Sequence, residues 1–103
     1  MSFENFYFHT GQILKAADLN LIRAGTAQLA ESYHVPIKSL DEFKDGEILQ
    51  ARRLNMLKDN ITQIYFARHG SAPHWSSPVF ENGQVLKAEH LNEIVEKLNK
   101  LLT

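Results

Sequence analysis

The sequence predicts an α+β domain, mainly helical, in which three tandem hairpin-helix units pack as one small domain over residues 1–103. Three observations predict it. The phrase F-x-x-G-[QE]-[IV]-L-[KQ]-A-x-x-L-N occurs at Phe8 to Asn20, Phe43 to Asn55 and Phe80 to Asn92, with its glycines 35 and then 37 positions apart. Self-similarity at such a period marks a supersecondary unit that buries its apolar face only against its neighbours. Turn dipeptides sit inside the phrase, and an apolar stripe at helical spacing follows it each time. The units span residues 6–32, 41–67 and 78–102.

The first half of each unit reads as a tight hairpin. In the second and third units the central pairs are Asp45-Gly46 and Asn82-Gly83. These favour a two-residue type I′ turn, because both central residues need positive φ. Phe43 then stands beside Ile48, and Phe80 beside Val85, as aromatic and β-branched cross-strand partners. The first unit carries Thr10-Gly11 and keeps Phe8 and Ile13 in place. Hairpins this short are marginal alone. The helix that follows must hold them down.

That helix is read from the leucine of each L-N pair. Leu19, Ile22, Thr26, Leu29 and Ala30 form the first stripe; Leu54, Leu57, Ile61, Ile64 and Tyr65 the second; Leu91, Ile94, Leu98, Leu101 and Leu102 the third. Offsets of three, seven, ten and eleven lie on one helical face. The spacing predicts helices over 16–32, 51–67 and 88–102, with Gly25 and Thr26 weakening the first. Ala16, Ala51 and Ala88 place a small residue where hairpin and helix meet. Asn20, Asn55 and Asn92 return at one offset, although asparagine is a middling helix former that prefers backbone partners. Their recurrence predicts an amide contact to the backbone of the same hairpin or of a neighbouring unit. Three such helices can satisfy one another within one chain, and compact packing with the hairpins at one end is the simpler arrangement. The alternatives are an extended molecule in which each unit docks on a different neighbour, and a coiled coil between chains driven by the same leucines, which leaves homo-oligomerisation open.

The connectors differ. His34 to Glu42 contains Val35, Pro36 and Ile37 and reads as extended; His69 to Val79 is rich in turn formers. Trp75, in the middle of the second, either plugs a gap in the local core or stands at an interface.

The phrase resembles a segment common in tailed-bacteriophage virion proteins, near the start of tail fibres, tailspikes and baseplate or collar-associated proteins. There a hydrophobic and glycine motif, followed by A-x-x-L-N and a short helix, leads into the part attached to the particle. The likeness covers residues 8–22, 43–57 and 80–94. It implies a non-enzymatic structural component that docks other virion proteins, with no cofactor. The implied interface comprises the phrase residues Phe8, Gly11, Ala16, Leu19, Asn20, Phe43, Gly46, Ala51, Leu54, Asn55, Phe80, Gly83, Ala88, Leu91 and Asn92, together with Trp75. Phage fibres continue into long shafts with receptor-binding tips, and this chain has none. The resemblance therefore implies an adaptor, plug or decoration at the tail or baseplate rather than the fibre itself.

Composition narrows the alternatives. Eleven basic against twelve acidic residues leave a net charge of −1, which supplies no long-range attraction for nucleic acid or anionic lipid. The absence of cysteine excludes disulfides and thiolate metal sites. No apolar run approaches the ~20 residues of a membrane span. The start, M-S-F-E-N-F-Y-F, lacks the features of a signal peptide, so assembly in a host cytoplasm is expected. Arg52, Arg53, Lys58 and Arg68 tint the second helix basic. A small nucleic-acid-binding regulator is the alternative they support, but acids on the other helices dilute the field, and a solvated charged face is the plainer reading.

The string Ile64 to Ala72 contains R-H-G and is similar to the signature of histidine phosphatases, where His69 would take up a phosphoryl group and Arg68 would bind phosphate. Its apolar run instead falls on a helix stripe, and no arginine follows Gly70, so an enzyme is not expected. The five histidines, His9, His34, His69, His74 and His90, include no pair at the i, i+4 spacing of a zinc-binding face, so no metal site is expected.

Overall fold

The structure is a computed structural model that describes residues 16–44, 51–76, 80–81 and 88–101. Three helices account for most of these: α1 (Ala16–Ser32), α2 (Ala51–His69) and α3 (Ala88–Leu101). Each begins at the alanine of the repeated phrase. No strand occurs among the described residues, so the architecture they define is helical and does not support the α+β class. The proposed turns at Thr10-Gly11, Asp45-Gly46 and Asn82-Gly83, together with Phe8, lie outside the described residues. Phe43 and Phe80 are described, and the backbone groups of both are bonded to asparagine side chains of preceding helices rather than to a strand.

The stripes form the core. Positions zero, three, seven and ten after each L-N leucine are buried in all three helices: Leu19, Ile22, Thr26 and Leu29; Leu54, Leu57, Ile61 and Ile64; Leu91, Ile94, Leu98 and Leu101. Thr26 joins an apolar core because its hydroxyl donates to the Ile22 carbonyl at 2.8 Å. A buried hydroxyl left unbonded would cost ~1–3 kcal/mol. Phe43 and Phe80 complete the core from the connectors.

The three helices point the same way. Phe43 touches the second turn of α1 through Asn20 and the first turn of α2 through Arg53. Phe80 likewise joins Asn55 on α2 to His90 on α3. The N-terminal ends of consecutive helices are thus neighbours. At the other end the Tyr33 hydroxyl, just past α1, donates to the Leu101 carbonyl of α3 at 3.0 Å. The molecule measures 34 × 25 × 24 Å. A 19-residue helix is already about 28 Å long, so the helices lie side by side and the units are not strung out end to end.

Parallel neighbours require the chain to run back the length of the bundle twice. The turnabout after α1 is a Schellman closure: Val35 N–H reaches the Ala30 carbonyl at 2.9 Å and His34 N–H reaches Glu31 at 3.2 Å. His34 takes the left-handed conformation there, with φ of 55°. After α2 the same role falls to Gly70, at φ of 80°, whose N–H bonds the Phe66 carbonyl at 2.8 Å. The R-H-G string is therefore the end of a helix. Arg68 and His69 are exposed in its last turn, and the His69 ring lies 4.5 Å from that of Tyr65.

Candidate functional site

Two of the repeated asparagines, Asn20 and Asn55, are amide clamps between units. Asn20 Nδ2 donates to the Phe43 carbonyl at 2.8 Å, and the Phe43 N–H donates back to Asn20 Oδ1 at 2.8 Å. One unit on, Asn55 Nδ2 donates to the Phe80 carbonyl at 2.8 Å, and the Phe80 N–H donates to Asn55 Oδ1 at 2.7 Å. A carboxamide is the one neutral side-chain head that offers a donor and an acceptor side by side. It therefore matches both polar groups of a single residue, as a neighbouring strand would. Both asparagines hold the following unit, not their own. Asn92 stands at the same place on α3, half-buried.

The clamped phenylalanine is also gripped from its own helix. The Arg53 guanidinium lies 4.0 Å from the Phe43 ring centroid and donates to the Asp41 carbonyl. His90 meets the Phe80 ring edge-on at 5.3 Å. Arg53 and His90 both immediately precede the L-N leucine, so the grip recurs in register with two different side chains.

Trp75 plugs the seam between α2 and α3. Its indole N–H donates to Thr62 Oγ1 at 3.0 Å, and the Lys58 and Lys97 amines lie 4.8 and 5.9 Å from its ring. Lys58 also lies 4.3 Å from the Phe80 ring. The expectation that Lys58 belongs to a solvated charged face is corrected here, since only 2% of it is exposed. The stem of a lysine can line apolar surface while its amine rests on aromatic faces, and two such faces converge at this point. Burial, the larger effect, pushes the Lys58 amine below its ordinary value, against Glu93 and Asp59, which raise it. Glu93 accepts the Ser76 N–H at 2.9 Å and so ties the loop beyond Trp75 to α3. Burial alone would raise the Glu93 carboxyl. The Ser76 backbone and hydroxyl, with Lys97 and Lys58, more than offset this and hold it below its usual value.

A third clamp stands outside the repeated phrase. Asn60, 3% exposed on α2, donates to the Lys38 carbonyl at 2.9 Å and accepts the Lys38 N–H at 3.0 Å. Its only sequence signal is an asparagine directly before a stripe position, without recurrence in the other units. It pins the returning chain of residues 35–40 beside a half-open cavity of about 340 Å³ between α1 and α2.

Among the expected interface residues, Leu19, Leu54 and Leu91 are core, while Ala16 and Ala51 are half-buried against it. Ala88 opens α3. Gly11, Gly46 and Gly83 lie outside the described residues. Among the described residues no group of three His, Cys, Asp or Glu side chains is placed to hold a metal ion, and no helix is long and apolar enough to cross a membrane. No protein-family model, curated protein or solved structure matches this chain.

Proposed function

We propose that this chain is a non-enzymatic structural component of a tailed-phage virion, an adaptor at the tail, baseplate or fibre attachment. It docks other virion proteins through its repeated hairpin-helix units. The observation that carries the reading is the phrase itself, which resembles virion attachment segments and occurs three times in one short chain. Parallel helices support it, because they bring the N-terminal ends of consecutive helices together at one end of the bundle. A partner with repeated or symmetry-related sites would meet several similar surfaces on one molecule. Once the first contact forms, the others become intramolecular, and individually weak contacts add to a firm attachment.

The test is light scattering of the purified protein, alone and with purified tails or baseplates, followed by chemical cross-linking and mass spectrometry. A complex of fixed stoichiometry, cross-linked through the phrase segments, is the expected result. A chain that joins neither particle but elutes from heparin in a salt-dependent manner would replace this reading with the nucleic-acid-binding one.

A further inference from the structure

The cavity beside residues 35–40 is the counterpart of a seam that elsewhere in the molecule is filled by an indole. Counting from the L-N leucine, Trp75 touches the fourth and eighth positions of α2, Lys58 and Thr62, and the sixth of α3, Lys97. One unit earlier the same positions are Arg23 and Ala27 on α1 and Asn60 on α2. All three line the cavity. Trp75 precedes its clamped Phe80 by five residues. The residue five before Phe43 is Lys38, which also lines the cavity and whose side chain is exposed. Phe3 holds that place before the first phrase, so two of the three positions are aromatic in sequence and the lysine is the exception.

We infer that this cavity is a binding site for one aromatic side chain, a tryptophan presented by a docking partner. The volume suits it. A cavity of ~150 Å³ already admits a benzene ring, and about 340 Å³ is open here. The surroundings suit it as well. Thr26, Ala30 and Leu57 make a buried floor, and Val35, Ile37 and Leu40 form the wall on the connector. The floor exposes no unbonded polar group, because the Thr26 hydroxyl bonds Ile22 and the Asn60 amide bonds Lys38. Arg23 occupies the helical position from which Lys58 covers Trp75, and guanidinium is the better cation over an aromatic face. Thr62, the acceptor of the Trp75 N–H, has Ala27 as its counterpart. Glu31, one turn further along α1, brings a carboxylate to the lining and serves as acceptor. The partner's identity rests on the docking role proposed above; the preference for an aromatic ring does not.

The experiment is a nuclear magnetic resonance titration of the full chain with N-acetyl-tryptophanamide, and with N-acetyl-leucinamide as the aliphatic control. The expected result is a saturable set of amide shifts confined to Ala27, Ala30, Ile37, Ser39 and their neighbours. A ligand of this size gives a dissociation constant on the order of 1 mM, and the leucine probe should bind at least several-fold more weakly. Lys38→Trp places an indole at the Trp75 register, and Ala27→Leu narrows the cavity from the α1 side; each should abolish the shifts. Arg23→Met should weaken binding several-fold; because Arg23 Nε also donates to Asn20 Oδ1 at 3.4 Å, an unshifted Phe43 amide resonance serves as the check that the clamp is kept. Shifts scattered over the surface, equal binding of both probes, or shifts that persist in well-folded Lys38→Trp and Ala27→Leu would overturn the assignment. Local binding of the probe without any complex with tail proteins would leave the site standing and remove the virion partner. A virion complex with no local binding would do the reverse.

Discussion

Replacing Asn55 by alanine isolates the device that joins one unit to the next. The substitution removes two hydrogen bonds, of 2.8 and 2.7 Å, to the backbone of Phe80, a residue only 3% exposed. Each such bond contributes about 1 kcal/mol net, and stranding a buried partner group adds to the loss, within a range of ~1–3 kcal/mol. Alanine is the better helix former and returns about 0.5 kcal/mol. The balance is a destabilisation of about 2–3 kcal/mol. For a domain of this size that lowers the midpoint of thermal unfolding by roughly 10–20 °C. Urea titration followed by circular dichroism and Trp75 fluorescence measures it, with exposed Gln63→Ala on the same helix as the control. Hydrogen exchange adds a local reading, since protection of the Phe80 amide should fall before that of Phe43. A loss below ~0.5 kcal/mol, or one no larger than the control's, would refute the clamp as a source of stability.

Three further outcomes follow from the same contacts. Lys58 has a folded-state pKa below its unfolded value, so the folded chain binds fewer protons between the two; stability therefore rises as pH climbs through that window, and Lys58→Met should flatten the rise in urea titrations at stepped pH. Glu93 is shifted down, so its contribution is complete above the ordinary carboxylate value and is lost as pH falls through the lower folded value; the loss should appear first as a change in Trp75 emission when the Ser76 tether releases, and be absent in Glu93→Gln. His34 sits at positive φ in a helix closure that favours glycine, so His34→Gly should stabilise the chain by up to about 1 kcal/mol in thermal unfolding, with the Val35 and Ala30 contact unchanged.

Local periodicity carried the helices and failed at what lies between them. The starts at Ala16, Ala51 and Ala88 and the buried Leu, Ile and Thr positions were readable because one helical face repeats at fixed offsets whatever it packs on. The same offsets say that Asn20 and Asn55 are special but not whose backbone they hold, since a helix face does not name its neighbour. Lys58 is illegible for a related reason. A cation at the edge of a stripe looks solvated until the rings of Trp75 and Phe80, 17 and 22 positions away, are brought over it. Asn60 had no recurrence to mark it. The cavity beside Lys38 becomes visible only when two seams of the folded molecule are superposed, because what defines it is a ring present in one unit and replaced by lysine in the other.

The direction of the clamps has a kinetic consequence. Asn20 and Asn55 each wait for a phenylalanine, 23 and 25 residues downstream, and Asn60 closes on Lys38, 22 residues upstream, so all three closures join neighbouring stretches of chain. Contacts of such modest separation lower the entropic barrier to folding. Synthesis proceeds from the N-terminus, so Phe43 becomes available to Asn20 before Phe80 becomes available to Asn55. The order in which the two phenylalanine clamps can first close is thereby the order in which their partners appear along the chain.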